Sequence, residues 1–242
     1  MTTSSDDNLR RTPRTVFAAF AAIMALDILF VVLHLLIGEK FDIINLDQEG
    51  NLTAWYSSTK LLALAAMCFT IWSTERIAQV GKKWRLTVLW LLVAAVFLGL
   101  SMDETASIHE RLARFVMQES YVGLDIRESV LDGDSTKDSF AWVLILSPII
   151  LSVTVFFFVF FYSRLFLSRT GYVPALIALS MFLIAVGMEA TVYFTPSMSD
   201  WDANMLNKYK LGIALEETAE MMGSTLFLLA FWRYWRFLKE SH

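Results

Sequence analysis

Six stretches of roughly 20 predominantly apolar residues recur along this chain, the length that crosses a hydrocarbon core as a helix. They fall at approximately Thr15–Ile37, Ala54–Thr74, Leu86–Ser101, Phe140–Tyr162, Tyr172–Tyr193 and Tyr209–Trp232. Soluble domains do not repeat such runs, and here hydrophobic residues reach 56% with a mean hydropathy of +0.53. In lipid every backbone N–H and C=O must be satisfied within the structure. The runs are too long and too continuously apolar for outer-membrane strands. The expected fold is therefore an all-α, six-span transmembrane helical bundle. The third run is short, so its helix is expected to continue into Met102–Arg114. No small-residue cleavage signature follows the first run, which reads as a retained anchor.

Loop charges set the expected topology. Twelve Lys and Arg residues fall on one side of the spans and seven on the other, with Lys60 inside a span. The positive-inside rule then places both termini in the cytoplasm, in a bacterial inner (plasma) membrane. Residues 1–14 read as a disordered cytoplasmic tail. Residues 15–239 read as a single six-helix transmembrane domain, with an acidic outer segment over residues 102–139. Cys68 is the one cysteine, which excludes an intrachain disulfide and a cysteine-based metal site.

Against that background the acids stand out. Glu216, Glu217 and Glu220 sit inside the last apolar run, Glu189 interrupts the fifth and Asp27 the first. A charge within a membrane segment costs several kcal/mol and is seldom there without a partner or a task. At about 100° per residue, Glu216, Glu217 and Glu220 share one helix face. At about 1.5 Å per residue, Glu216 and Glu217 lie roughly 10–12 Å below the outer surface and Glu220 roughly 16 Å. Asp27, His34, Lys60 and Glu189 fall in the same outer half, and Asp103, Glu104, His109 and Glu110 cap the third span on that side. A shared depth points to one polar site between helices, open to the outside.

Each element has a plainer reading. The Asp103–Arg111 stretch could be a solvated helix end, with Glu110 and Arg114 as an ordinary i,i+4 pair. Asp27 and His34 could pair with each other or with Lys60. Lys60 could snorkel outward. The Phe156–Tyr162 run reads as lipid-facing packing, and Asp132, Asp134 and Asp138 suggest a calcium loop without its spacing or bidentate Glu. There is no HExxH, no Walker sequence and no Glu-x-x-His pair. Three histidines are too few for a His-rich zinc hydrolase, and His34 alone cannot supply two axial haem ligands.

Ser101-Met-Asp103-Glu104 followed by His109-Glu110, with Glu216-Glu217-x-x-Glu220-x-x-Gly223 in the last span, resembles a group of small bacterial multi-span membrane proteins of unknown function. The resemblance covers these two segments. It implies that Asp103, Glu104, His109, Glu110, Glu216, Glu217 and Glu220 are the group's shared polar residues, and it supplies no activity.

The residues point first to a metal-dependent membrane enzyme acting on a lipid or lipid-linked substrate. Carboxylates with one or two imidazoles suit a divalent ion such as iron, manganese or zinc, which would neutralise the cluster. The expected ligands are Asp103, Glu104, His109, Glu110, Glu216, Glu220 and His34, with Glu217, Glu189 and Asp27 as catalytic groups. The expected partners are the bilayer, a lipid-like substrate and, as an open alternative, a second copy of the chain, but not nucleic acid. A proton- or cation-coupled transporter is the second reading, because buried acids can share protons. A non-catalytic assembly subunit is the third.

Overall fold

The computed structural model describes residues 14–38, 40–48, 50–77, 84–119, 121, 123, 125–126, 141–166, 171–191 and 202–240. Most of the expected tail, Asp132, Asp134, Asp138 and much of the acidic outer segment lie outside the described residues. The described residues form seven α-helices and no strand: α1 Arg14–Ile37, α2 Leu52–Ile77, α3 Leu89–Ala106, α4 Ile108–Glu119, α5 Trp142–Leu165, α6 Tyr172–Glu189 and α7 Ala203–Glu240. A four-residue helical turn, Trp84–Thr87, precedes α3, and a 3-10 turn, Asp42–Ile44, follows α1.

Helices α1, α3, α5 and α6 are long and apolar enough to cross a membrane. That is four, where six were expected. The two that fall short are α2 and α7, and the reason is their charge. Helix α2 carries Lys60, Glu75 and Arg76; α7 carries Glu216, Glu217 and Glu220 together with basic residues at both ends. These same two helices are the innermost. Helix α7 packs on α6, α2 and α1, and α2 packs on α3 and α7. Polarity is concentrated where protein, not lipid, surrounds it.

The outside of the bundle is apolar. Leu36 is 72% exposed, Leu151 65% and Phe17 64%, each on a helix long enough to span. Exposed apolar surface on this scale would drive association in water, whereas hydrocarbon solvates it without cost. Inside, helices cannot be held by a hydrophobic difference from lipid and depend on close packing and interhelical hydrogen bonds. Aromatic rings supply the packing. Trp90 sits edge-on to Phe160 and Phe231 at centroid distances of 4.9 and 5.4 Å and stacks on Tyr234 at 5.6 Å. Phe97 meets Phe157 and Phe227 one layer away.

The Phe156–Tyr162 run, expected to face lipid, is divided between two environments. Phe157, Phe160 and Phe161 are buried in this core, while Phe158, Val159 and Tyr162 are exposed. Positions i, i+3 and i+4 of a helix share a face, so a run that is aromatic all round supplies core and lipid contacts together.

Three polar knots tie the helices. Ser58 and Ser101 clamp α2 to α3, each hydroxyl bonding the other's backbone carbonyl, at 2.8 and 2.9 Å. The second knot surrounds Asp27 and the third Glu75; both are described below because they bear on the acids.

Candidate functional site

The third span does not continue straight into the outer helix as expected. Ser107 adopts the left-handed conformation, φ 48° and ψ 45°, and breaks the chain between α3 and α4. Such a conformation costs an L-residue roughly 1–2 kcal/mol. The break repositions the polar residues. On a continuous helix Asp103 and Glu110 would share a face. Instead Asp103 Oδ1 accepts the His109 backbone N–H at 2.8 Å and Oδ2 lies 2.7 Å from His109 Nδ1. With Nδ1 carrying the proton, Asp103 fixes the ring's orientation and leaves the imidazole lone pair on Nε2. The ring also packs edge-on to Trp142 at the start of α5, with centroids 4.7 Å apart.

Trp142 in turn donates its indole N–H to Glu189 Oε1 at the end of α6. Four helices, α3, α4, α5 and α6, thus meet through Asp103, His109, Trp142 and Glu189. Sequence reasoning reads Trp142 as an interfacial anchor, because a tryptophan near a span end is common. Only the packing reveals its second role.

These residues line one cavity of about 890 Å3. Its wall includes Asp103, Glu104, His109, Glu110, Glu189, Glu216, Glu217 and Glu220, so eight of the ten residues expected at a polar site converge on one space. They come from α3, α4, α6 and α7. Glu110 is offset by Arg114, 3.4 Å away, and Glu189 by Trp142. Glu216, Glu217 and Glu220 differ: among the described residues no donor lies within hydrogen-bond distance of their carboxylates. Among the described residues no three His, Cys, Asp or Glu side chains stand, as placed, at a geometry that could hold a metal ion.

Asp47 and Tyr209 add to the wall; neither is singled out by sequence reasoning. The Tyr209 hydroxyl donates to Asp47 Oδ1 at 3.3 Å. Asp47 is exposed, yet the surrounding protein desolvates its carboxyl and raises its pKa; the Tyr209 bond opposes this and the Glu110 charge adds to it.

Asp27 and His34 are not brought to the cavity. Asp27 is fully buried on another side of α7. Lys60 Nζ donates to its Oδ1 at 2.7 Å, the Tyr56 hydroxyl to the same oxygen at 2.7 Å, and the Thr225 hydroxyl to Oδ2 at 2.9 Å. Lys60 spends a second proton on the Met221 carbonyl at 2.9 Å and lies 4.5 Å from the centre of the Tyr56 ring. Lys60 therefore does not snorkel; it locks α1, α2 and α7 together. His34 Nδ1 accepts the Leu46 backbone N–H at 3.1 Å and pins the loop after α1. The pairing of Asp27 with Lys60, the plainer reading of that residue, is what the structure contains.

An all-helical bundle with spans long enough for a membrane, and an acid-walled cavity within it, defines an integral membrane protein with an internal polar site. The chain belongs to the family described as Domain of unknown function (DUF8692), which matches residues 14–235. No curated protein and no solved structure matches it.

Proposed function

We propose that the protein is a six-span bundle of the bacterial plasma membrane, with both termini cytoplasmic, whose carboxylate cavity binds a divalent cation and acts on a lipid or lipid-linked substrate. Helices α2 and α7 complete the six spans. At about 1.5 Å per residue they reach roughly 39 and 57 Å, against a core of about 30 Å, and neighbouring helices shield their charges.

One observation carries the reading. Glu216, Glu217 and Glu220, with no hydrogen-bond donor among the described residues, share a cavity with an imidazole oriented by Asp103. A carboxylate behind a histidine is the usual second shell of a metal ligand, and unneutralised carboxylates are the usual first shell of a divalent ion. Ligation requires the glutamate side chains to rotate inward from their present positions. A cation there would polarise a substrate oxygen or make bound water acidic.

The experiment is metal analysis of the detergent-purified protein. Near-stoichiometric iron, manganese or zinc is expected, and Glu216→Gln or Glu220→Gln should release it and lower thermal stability, because ligand loss removes binding free energy that supports the fold. Metal-free protein that the same substitutions stabilise would sink this reading. That result would support acids that share protons, as in a proton- or cation-coupled transporter. Metal-free protein that stays unstable until a basic partner is co-expressed would indicate an assembly subunit.

A further inference from the structure

The first half of α5 packs less deeply than the second, although Trp142 and Ile145 hold its start against α4 and α6. From Trp142 to Phe156 it buries no residue, whereas Phe157, Phe160, Phe161, Arg164 and Leu165 beyond it are buried. The space left beside that half is the apolar arm of the cavity, where Phe97, Ile150, Val153, Phe157, Phe182 and Phe227 line the wall. On the outer surface of the same two helices, α5 and α6, a groove of about 480 Å3 runs over Val155, Phe158, Leu176 and Ser180. Thr154, Leu179 and Leu183 line both the cavity and the groove. Three side chains therefore form a shared wall between the site and the lipid-facing surface.

We propose that this wall is a lateral portal through which the hydrocarbon chain of a membrane lipid enters from the bilayer, with its head at the carboxylate end; the proposal rests on the cavity being a substrate site. Both flanking helices are long and apolar enough to span, so the medium outside the groove is lipid hydrocarbon. The cavity is near the upper end of the usual range for ligand pockets, roughly 300–1,000 Å3. An apolar space of that size loses the contacts of every side chain lining it unless something apolar fills it. A chain already dissolved in the bilayer can fill it without crossing water. The arrangement of the walls fits an amphiphile: acids from α3, α4, α6 and α7 at one end, phenylalanines at the other.

The test uses the full chain in nanodiscs of phosphatidylglycerol doped with a phosphatidylcholine that bears a mid-chain diazirine. After photolysis, adducts are mapped by peptide mass spectrometry. Adducts on interior residues Phe97, Phe157 and Phe182 are expected, beside those on the lipid face. Leu183→Trp should abolish the interior adducts and keep the outer ones. Leu183 is 42% exposed and lines both spaces, so the larger ring has room to lie across the shared wall without displacing the core. Leu151→Trp, on the same face of the membrane but lining neither space, should leave the interior adducts intact. Interior adducts that are absent in the native chain, or that persist in Leu183→Trp, would overturn the portal. Metal content measured on the same samples separates the two ideas. Retained metal without interior adducts rejects the portal alone; interior adducts on metal-free protein reject the metal reading alone.

Discussion

Glu75 and Glu217 are both glutamates within helices at the centre of the bundle, and the chain treats them in opposite ways. Glu75, on α2, is 3% exposed and has a donor for every direction it faces. The Tyr234 hydroxyl reaches Oε1 at 2.6 Å and Trp90 Nε1 the same oxygen at 3.1 Å; the Thr87 hydroxyl reaches Oε2 at 2.9 Å, and Arg164 lies 3.4 Å from it. Glu217, on α7, has none of these and opens onto a cavity. Asp27 behaves like Glu75. A buried ion without partners is costly, so a sequence that needs only cohesion supplies donors beside each acid. At Glu216, Glu217 and Glu220 no such donor stands among the described residues. The two regions separate acids satisfied by the protein itself from acids that line a cavity.

The sharpest way to break this contrast is to remove the acid from the satisfied site. Glu75→Ala should destabilise the protein by about 3–5 kcal/mol, because it strands Arg164 in the interior with its Nε already unpartnered. Thermal unfolding in detergent reads this directly, and a change within error would mean that Glu75 is not the lock described here. Lys60→Met comes next, costing about 3 kcal/mol by leaving Asp27 buried and uncompensated. Adding Asp27→Asn to it should restore most of the loss. If the double variant is as unstable as the single, charge pairing is not what the knot contributes.

The contrast is sharpened at the cavity by sign. In protein stripped of divalent ions with a chelator, Glu217→Gln should raise stability by about 1 kcal/mol, as relief of a functional site commonly does. Glu75→Gln under the same conditions should lower it. Equal signs would remove the distinction. The smallest effect concerns pH at the mouth. The Asp47 carboxyl is raised above its ordinary value of 3.8, so the folded state holds its proton more firmly than the unfolded state. The resulting stabilisation is present below that ordinary value and is lost as pH rises through the folded-state pKa. Asp47→Asn should flatten this part of the stability-pH profile; profiles of identical slope would argue against the shift.

How much of this was legible in the sequence depends on which physical force set each feature. Helical class and apolar spans follow from backbone satisfaction in lipid, which acts locally and leaves runs of the right length. The gathering of Asp103, Glu104, His109, Glu110, Glu189, Glu216, Glu217 and Glu220 was legible from depth, because polar groups at one level of apolar helices escape lipid by facing one shared interior space. Pairings across helices were not legible. Glu75 reads as the start of a short basic connection, since nothing in its neighbourhood announces Tyr234 or Arg164, more than eighty residues away. Asp27 looked like its cavity-facing counterparts because an acid in an apolar run reads alike whether or not a lysine waits on the next helix. Residues Trp142, Asp47 and Tyr209 joined the wall through tertiary contact alone.

Ser107 has a further consequence, best put in evolutionary terms. The Asp103–His109 geometry is set by one residue's backbone torsions and not by either partner. Glycine or asparagine at position 107 would hold the same left-handed turn with less strain, while a β-branched residue would pull the chain back toward a continuous helix. Selection can therefore tighten, loosen or dismantle the dyad through a position that carries no charge. A lineage could lose the Asp103–His109 contact while keeping every acid and the histidine in place. Position 107 is thus a more telling character than the polar residues themselves when descendants of this chain are compared for a retained dyad.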